Sequence, residues 1–117
     1  MFESSLARVV SQVGARGAAV LGLDGLTIDA VDATGQLVAP EEAAREYASV
    51  FKQLAGVAES MEVGAVTDFT AEGAEETLLV RLLTPQYAAV LRIPNEVPPG
   101  KGRFYLRVVA PDIVREL

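Results

Sequence analysis

The sequence contains no cysteine and no histidine. Without cysteine there can be no disulfide framework, which disfavours a small extracellular fold and favours a cytoplasmic one. Without histidine the chain lacks the commonest general base and the commonest transition-metal ligand. No apolar run approaches the roughly 20 residues that span a bilayer, and the N-terminus lacks the basic and apolar regions of a signal peptide. We therefore expect a cytoplasmic protein without membrane insertion.

The chain has 117 residues, which fits a single domain spanning residues 1–117. Half of the residues are hydrophobic, enough for a sizeable core, but only 6% are aromatic, so aliphatic side chains and alanine must fill the interior. The formal net charge is −6. This charge argues against nucleic acid and against anionic membranes as the main partners.

The apolar spacing predicts a mixed order of helices and strands. In chain order these are a helix at 2–13, strands at 18–23 and 26–31 joined by the turn Asp24-Gly25, a helix entered through Pro40 that ends before Gly64, strands at 65–70, 75–83 and 87–93, and a helix at 102–117. Glu41 and Glu42 suit the positive end of the second helix. Pro111 predicts a kink or a break near Ala110 in the last helix. Because neighbouring strands can all pair as hairpins, we expect an antiparallel sheet with helix two on one face and helices one and three on the other.

Helix two has more apolar surface than one sheet can cover. Its apolar residues occupy about half of the helix circumference, whereas packing on one sheet needs an arc of only about 100°. The strand that follows, residues 65–70, has no proline, bulge glycine or lysine to protect an open edge. Together these features favour a homodimer, and the alternative is that both elements are buried within one chain. The predicted dimer interface comprises Tyr47, Ala48, Phe51, Leu54, Ala55, Ala58, Ala65, Thr67 and Phe69.

No group of residues indicates catalysis. No serine lies in a strand–turn–helix context, and no histidine is available to activate one. The pair Gly100-Lys101 lacks the upstream glycine of a phosphate loop. We therefore expect no enzyme activity and no bound cofactor.

Two sets of acidic residues could have either a functional or a structural role. Asp24, Asp29 and Asp32 could be imagined as a calcium site, but their spacing matches no known loop, so structural roles are favoured. Glu72, Glu75 and Glu76 form an acidic tip between strands three and four. A solvated turn is the favoured interpretation of this tip, and a docking point for a basic partner is the alternative.

Several side chains could serve a protein partner. Arg81, Arg92, Arg103 and Arg107 could each act as an arginine finger in the active site of a partner protein, although solvation or pairing with the abundant carboxylates is favoured. Tyr47 and Phe51 are candidates for interface anchors, because aromatic side chains often dominate such contacts. The alternative is that both belong to the core under the sheet.

The order and spacing of the segments resemble the roadblock / dynein light chain family over nearly the whole chain. The resemblance is carried by the strand 18–23, the run Asp24-Gly25-Leu26-Thr27-Ile28, the helix start Glu41-Glu42-Ala43-Ala44, and the strand segments 78–83 and 88–91. It implies an α+β fold with a five-stranded antiparallel sheet in the order 2-1-5-4-3. It also implies homodimerisation through strand three and helix two. Longin and profilin-like domains share parts of this layout.

Members of this family commonly act as partners, scaffolds or regulators of Ras-like small GTPases. Bacterial members of the mutual gliding protein B type stimulate GTP hydrolysis by reshaping the switch loops of the GTPase, without donating an arginine finger. The resemblance therefore implies a homodimeric regulator or scaffold for a Ras-like small GTPase. Two alternatives remain: an assembly scaffold unrelated to GTPases, and a profilin-like sensor domain with a small-molecule pocket.

Overall fold

The computed structural model describes residues 1–39 and 44–117. Three helices and five strands follow one another in the order α1 (Glu3–Val13), β1 (Gly17–Gly22), β2 (Thr27–Asp32), α2 (Ala44–Ser60), β3 (Asp68–Glu72), β4 (Glu76–Thr84), β5 (Tyr87–Pro94) and α3 (Pro99–Arg115). The roles predicted for Pro40, Glu41 and Glu42 at the start of the second helix lie outside the described residues.

The five strands form one antiparallel sheet in the order β2-β1-β5-β4-β3, so the predicted fold class and strand order are confirmed. The hairpin signal at Asp24-Gly25 is also confirmed: Gly25 has a φ of 100°, which glycine adopts without strain. The two outermost strands are β2 and β3. On the β2 side, Leu37 forms an isolated bridge with Val31, so a following segment covers part of that edge.

Each face of the sheet is covered by helices, because apolar side chains alternate along the strands and both sets need burial. Leu79 points to the side of α1 and α3, where it packs with residues such as Leu6 and Ile113. Its neighbour Val80 points to the side of α2 and packs with Phe51. Helices α1 and α3 therefore share one core, and α2 lies alone on the other face, as the sequence predicts.

Strand β3 begins later than predicted. The sequence pattern places it at 65–70, whereas the strand runs from Asp68 to Glu72. Glu62 and Gly64 both have positive φ, so the chain is still leaving α2 where the prediction starts the strand. The first hydrogen bond between this segment and β4 runs from the N–H of Leu82 to the carbonyl of Thr67, at 2.8 Å. Strand β4 continues to Thr84, so the later start of β3 reflects the path of the chain as it leaves α2 and not a lack of partner residues.

Helix α3 begins at Pro99 rather than at residue 102, since proline is well tolerated in the first turn of a helix. The helix continues through Pro111, so of the predicted kink or break near Ala110 the break is wrong and the kink stays a prediction. Pro111 itself is exposed, whereas Ala110 and Ile113 beside it are buried. Packing on both sides of the proline therefore holds the helix on the sheet, and the hydrogen bond that proline removes lies on the exposed side.

Candidate interaction surface on α2 and β3

The inner side of α2 is narrow and consists mostly of alanine. Its buried side chains are Ala44, Ala48, Phe51 and Ala58. The alanines allow the helix to approach the sheet closely, Phe51 is the largest of the four, and the half-buried Tyr47 packs against the same cluster. The rings of Phe51 and Phe69 have centroids 5.8 Å apart, which joins α2 to the edge strand β3.

A second row of apolar side chains runs along α2 and is left in solvent. Val50, Leu54, Val57 and Met61 recur at intervals of four, three and four residues, and they are between 37% and 69% exposed. We call these four residues the outer stripe. At 100° per residue the outer stripe lies about 110° around the helix from the inner row. The chain itself covers the inner row of the wide apolar arc and leaves the outer stripe uncovered.

The C-terminal end of α2 has an unusual backbone. Glu62 adopts a φ of 58°, a left-handed conformation that glycine normally supplies at this position. The N–H of Val63 donates to the carbonyl of Ala58 at 3.0 Å, and the N–H of Glu62 donates to the carbonyl of Glu59 at 3.2 Å. These are the two hydrogen bonds of a Schellman motif. They end the helix and leave Val63 exposed beyond the outer stripe.

Strand β3 presents unpaired backbone groups along the edge of the sheet. Thr67 faces Leu82 in a hydrogen-bonded pair, and Gly73 faces Glu76 in another, at 2.9 Å. Hydrogen-bonded and non-hydrogen-bonded pairs alternate along an antiparallel ladder. Because Thr67 and Gly73 are in hydrogen-bonded pairs, the even-numbered residues between Thr67 and Gly73 direct their N–H and C=O groups away from β4. These residues are Asp68, Thr70 and Glu72. We call them the open edge.

A mainly apolar groove lies between α2 and the segment that follows it. Phe51, Val66 and Leu82 contribute apolar lining, and Lys52 and Glu59 are among its polar members. Few polar groups converge in it, which does not favour the profilin-like sensor alternative.

The structure distributes the predicted interface residues unevenly. Leu54, Ala65 and Thr67 are exposed, and Tyr47, Ala55 and Phe69 are half-buried. Ala48, Phe51 and Ala58 are buried in the chain's own core, so they have little surface left for a second chain. The prediction did not include Val50, Val57 and Met61, although their regular spacing with Leu54 was a signal that could have found them.

The three aspartates considered for calcium each accept hydrogen bonds from the chain itself, Asp24 and Asp32 within their own turns and Asp29 from the start of α1. Asp24 accepts from the N–H of Leu26 at 3.1 Å, as expected of a turn residue. Asp29 accepts from the N–H of Phe2 at 2.8 Å, a bond that lowers the pKa of its carboxyl. Asp32 accepts from the hydroxyl of Thr34 at 2.6 Å, which likewise lowers its pKa. Within residues 1–39 and 44–117, no group of three or more acidic side chains could hold a metal ion.

Of the predicted acidic tip, Glu76 has a structural role. Its carboxylate accepts from the guanidinium of Arg92 at 2.9 Å and from that of Arg16 at 3.2 Å. The hydrogen bond from Arg92 is the main reason why the pKa of Glu76 lies below its ordinary value. Glu72 and Glu75 remain exposed. The tip therefore consists of two solvated carboxylates, and its use as a docking point stays a prediction.

The four candidate finger arginines divide into two pairs. Arg92 pairs with Glu76, and Arg81 lies 4.0 Å from Asp68, as the favoured interpretation predicts. Arg103 donates to the hydroxyl of Thr70 at 3.3 Å, and Arg107 is exposed. Neither of the last two forms an ion pair with the described part of the chain. In the same part of the chain, no helix combines the length and apolar character needed to cross a membrane.

Comparison with solved structures identifies the class of protein. The chain is 34% identical to MglC from Myxococcus xanthus, with 99% of this chain and 98% of MglC covered and a TM-score of 0.69. It is 19% identical to an MglB described as having a tetrameric arrangement, with 96% and 84% covered and a TM-score of 0.85. A Roadblock/LC7 domain from Streptomyces avermitilis is 15% identical, with 95% and 92% covered and a TM-score of 0.72. No family model and no curated protein matches the sequence.

These similarities cover nearly the whole chain and agree with the strand order and the helix placement described above. The fold is that of a roadblock-type α+β domain. The chain belongs to the roadblock/LC7 family, as the sequence predicts. At 15% and 19% identity, the likeness to the Streptomyces domain and to MglB concerns the fold.

Proposed function

We propose that the chain is a homodimer in which the outer stripe and the open edge of one copy meet the same surfaces of a second copy. Such an arrangement has a two-fold axis, so each surface is used twice. Pairing of two β3 strands would satisfy the backbone groups of the open edge and extend the sheet across both subunits. The observation that supports this most directly is the exposure of four regularly spaced apolar side chains, the outer stripe, along one face of α2. The tetrameric arrangement of an MglB relative is consistent with self-association.

The outer stripe is large enough to contribute substantially to such a contact. Full burial of an aliphatic side chain is worth roughly 1.5–3 kcal/mol, and the stripe has four such side chains in each copy. Association costs several kcal/mol in lost translational and rotational freedom, so the backbone pairs at the open edge are needed as well. We expect the interface to bury about 1,600 Å² in total or more, the size of a standard stable contact.

The proposed dimer binds a Ras-like small GTPase and modulates its GTPase cycle or its localisation, without enzyme activity of its own. Support comes from membership of a family whose members commonly serve such GTPases. The outer stripe and the open edge would be covered in the dimer, so the GTPase would bind to another surface of it.

The dimer is tested by Val57→Asp, measured by light scattering coupled to size exclusion at about 20 µM. The wild type should have twice the chain mass of 12.4 kDa, and the variant should have the mass of one chain because a carboxylate would be placed in an apolar contact. Leu26→Asp is the matched control, since Leu26 is equally large and exposed but lies by the β1–β2 turn. Phe51 is unsuitable for this test, because a charge there would disrupt the chain's own core. A monomeric wild type would refute the dimer.

The GTPase proposal is tested with a Ras-like GTPase from the same organism, by measuring binding and single-turnover GTP hydrolysis with and without the protein. We expect binding by wild type and an altered rate of turnover or nucleotide release. Binding with unchanged rates would instead support the scaffold alternative. Absence of binding to any Ras-like GTPase of that organism would refute this part of the proposal and would leave the dimer unaffected.

A further inference from the structure

The outward side of α3 carries an exposed apolar pair that the proposed dimer does not use. Phe104 and Val108 lie one turn apart and are 54% and 51% exposed. Pro111, also exposed, continues the row. The ring of Phe104 packs edge-on against that of Tyr105, with centroids 5.1 Å apart, which restricts its orientation. Helix α3 covers the face of the sheet opposite α2, so this pair is separated from the outer stripe by the whole sheet.

Cations surround this apolar pair. Lys101, Arg103 and Arg107 belong to the same helix, and none of them forms an ion pair with the described part of the chain. Helix α3 has four basic side chains and one acidic one, although the net charge of the chain is −6. In the described part of the chain, five basic residues form no ion pair; three of them lie on α3, and the other two, Arg45 and Lys52, lie on α2. We call Lys101, Arg103, Phe104, Arg107 and Val108 the α3 surface.

The contacts on either side of α3 show that this surface points into solvent. On one side, Asp112 forms ion pairs with Arg8 of α1 and with Arg115. On the other side, Arg103 reaches Thr70 on β3. The buried row of the helix, which includes Leu106 and Val109, faces the sheet. Phe104 and Val108 therefore lie on the remaining side, where about half of each side chain is exposed.

We propose that the α3 surface docks an acidic amphipathic helical segment of a partner protein. Apolar side chains spaced three or four residues apart on that segment would cover Phe104 and Val108, as in other helix-in-groove contacts. Carboxylates beside them would face Lys101, Arg103 and Arg107. Exposed ion pairs contribute at most about 1 kcal/mol each, so the apolar contact supplies affinity and the charges supply orientation and speed of association.

An acidic protein segment fits this surface better than an anionic membrane does. A narrow helix can contact the α3 surface alone. A flat bilayer would approach a wider part of a chain whose net charge is −6, which an anionic surface repels.

The probe is a synthetic, fluorescently labelled 18-residue peptide with leucines at positions spaced three and four residues apart and glutamates elsewhere. Fluorescence anisotropy in 50 mM salt should show saturable binding to the wild type. Arg103→Glu with Arg107→Glu should weaken binding at least tenfold and should allow binding of the same peptide with lysines in place of glutamates. Phe104→Ser with Val108→Ser should also weaken binding at least fivefold. All four side chains are exposed, so thermal unfolding of both variants should resemble that of wild type.

The matched control is Arg45→Glu with Lys52→Glu, which makes the same change of charge on α2, and it should alter peptide affinity less than twofold. The dimer mass should be unchanged in the α3 variants, so this proposal can fail or hold independently of the dimer. Equal binding by the Arg103/Arg107 variant, or no binding by wild type at 100 µM protein, would overturn the proposal. The proposal would also be overturned if the wild type bound phosphatidylglycerol vesicles but not the peptide, and if the Arg103/Arg107 variant lost the vesicle binding.

Discussion

At the scale of single residues, Glu62 is the position where the backbone departs most from what its side chain prefers. A residue with a Cβ in the left-handed region costs roughly 1–2 kcal/mol, and the Schellman hydrogen bonds at the end of α2 hold it there. Such conformations concentrate where the surrounding structure determines them, often near functional surfaces. Glu62 lies directly between the outer stripe and the exposed Val63.

Replacing Glu62 by glycine should therefore stabilise the fold. We expect the free energy of unfolding to rise by about 0.5–1 kcal/mol, because glycine relieves the steric cost but loses more entropy on folding. Urea denaturation at one fixed protein concentration measures this, since self-association would make stability depend on concentration. Glu59→Gly, three residues earlier inside α2, is the control and should lose about 1 kcal/mol. A loss of stability in the Glu62 variant would contradict the assignment of its backbone.

At the scale of elements, Glu76 joins three parts of the chain. It lies at the start of β4, and it pairs with Arg92 on β5 and with Arg16 in the connection between α1 and β1. Because these pairs favour the charged carboxylate, the pKa of Glu76 is lowered in the folded state. A lowered pKa means that the folded state binds fewer protons than the unfolded one, so the pairs stabilise the fold above the ordinary glutamate pKa of about 4.3. This stability is lost as the pH falls through the folded-state pKa.

Glu76→Gln should accordingly lower stability at neutral pH and have progressively less effect in acid. We expect a difference of up to about 1 kcal/mol at pH 7, since the pairs are partly exposed. Urea denaturation between pH 7 and pH 3 should show this difference shrinking below about pH 4.3. Glu75→Gln, the control, removes the exposed neighbouring carboxylate and should change stability little at pH 7 or at pH 3. A difference that grows towards acid pH would have the wrong sign for this account.

At the scale of the whole molecule, the two faces of the sheet have different proposed uses. The face covered by α2 carries the outer stripe, and the opposite face carries the α3 surface. Strand β3 lies between them, with side chains that alternate between the faces: Phe69 contacts Phe51 of α2, and Thr70 contacts Arg103 of α3. A dimer formed through β3 would therefore place two α3 surfaces on one side of a continuous sheet, which permits bivalent binding of a partner.

The open edge gives a direct test of strand pairing in the dimer. The N–H of Thr70 points away from β4, so Thr70→Pro removes a donor that only a second copy would use. We expect light scattering to show at least a tenfold weaker dimer, with circular dichroism reporting an intact sheet. Thr70→Val is the matched control: it removes the hydroxyl that accepts from Arg103 but keeps the backbone donor, so the dimer should persist. Wild-type association by the proline variant would exclude pairing through this strand.

Much of the fold follows from local patterns. Leu79 and Val80 must point to opposite faces because strand side chains alternate, and apolar residues on both faces require a sheet covered on both sides. The ends of helices and strands were harder to predict from the sequence. The start of β3 depends on how the chain leaves α2 and where it reaches β4, and the continuation of α3 through Pro111 depends on the burial of Ala110 and Ile113. Neither is a property of the segment alone.

For the interaction surface, the spacing of residues was enough to show that α2 has an apolar arc too wide for one sheet and that the following strand lacks edge protection. The folded structure was needed to show that Ala48 and Phe51 belong to the chain's own core and that Val50, Leu54, Val57 and Met61 are left uncovered. The physical reason is that helical periodicity fixes the angles between side chains but not the rotation of the helix about its axis. That rotation is set by contacts with distant strands, such as the packing of Phe51 against Phe69.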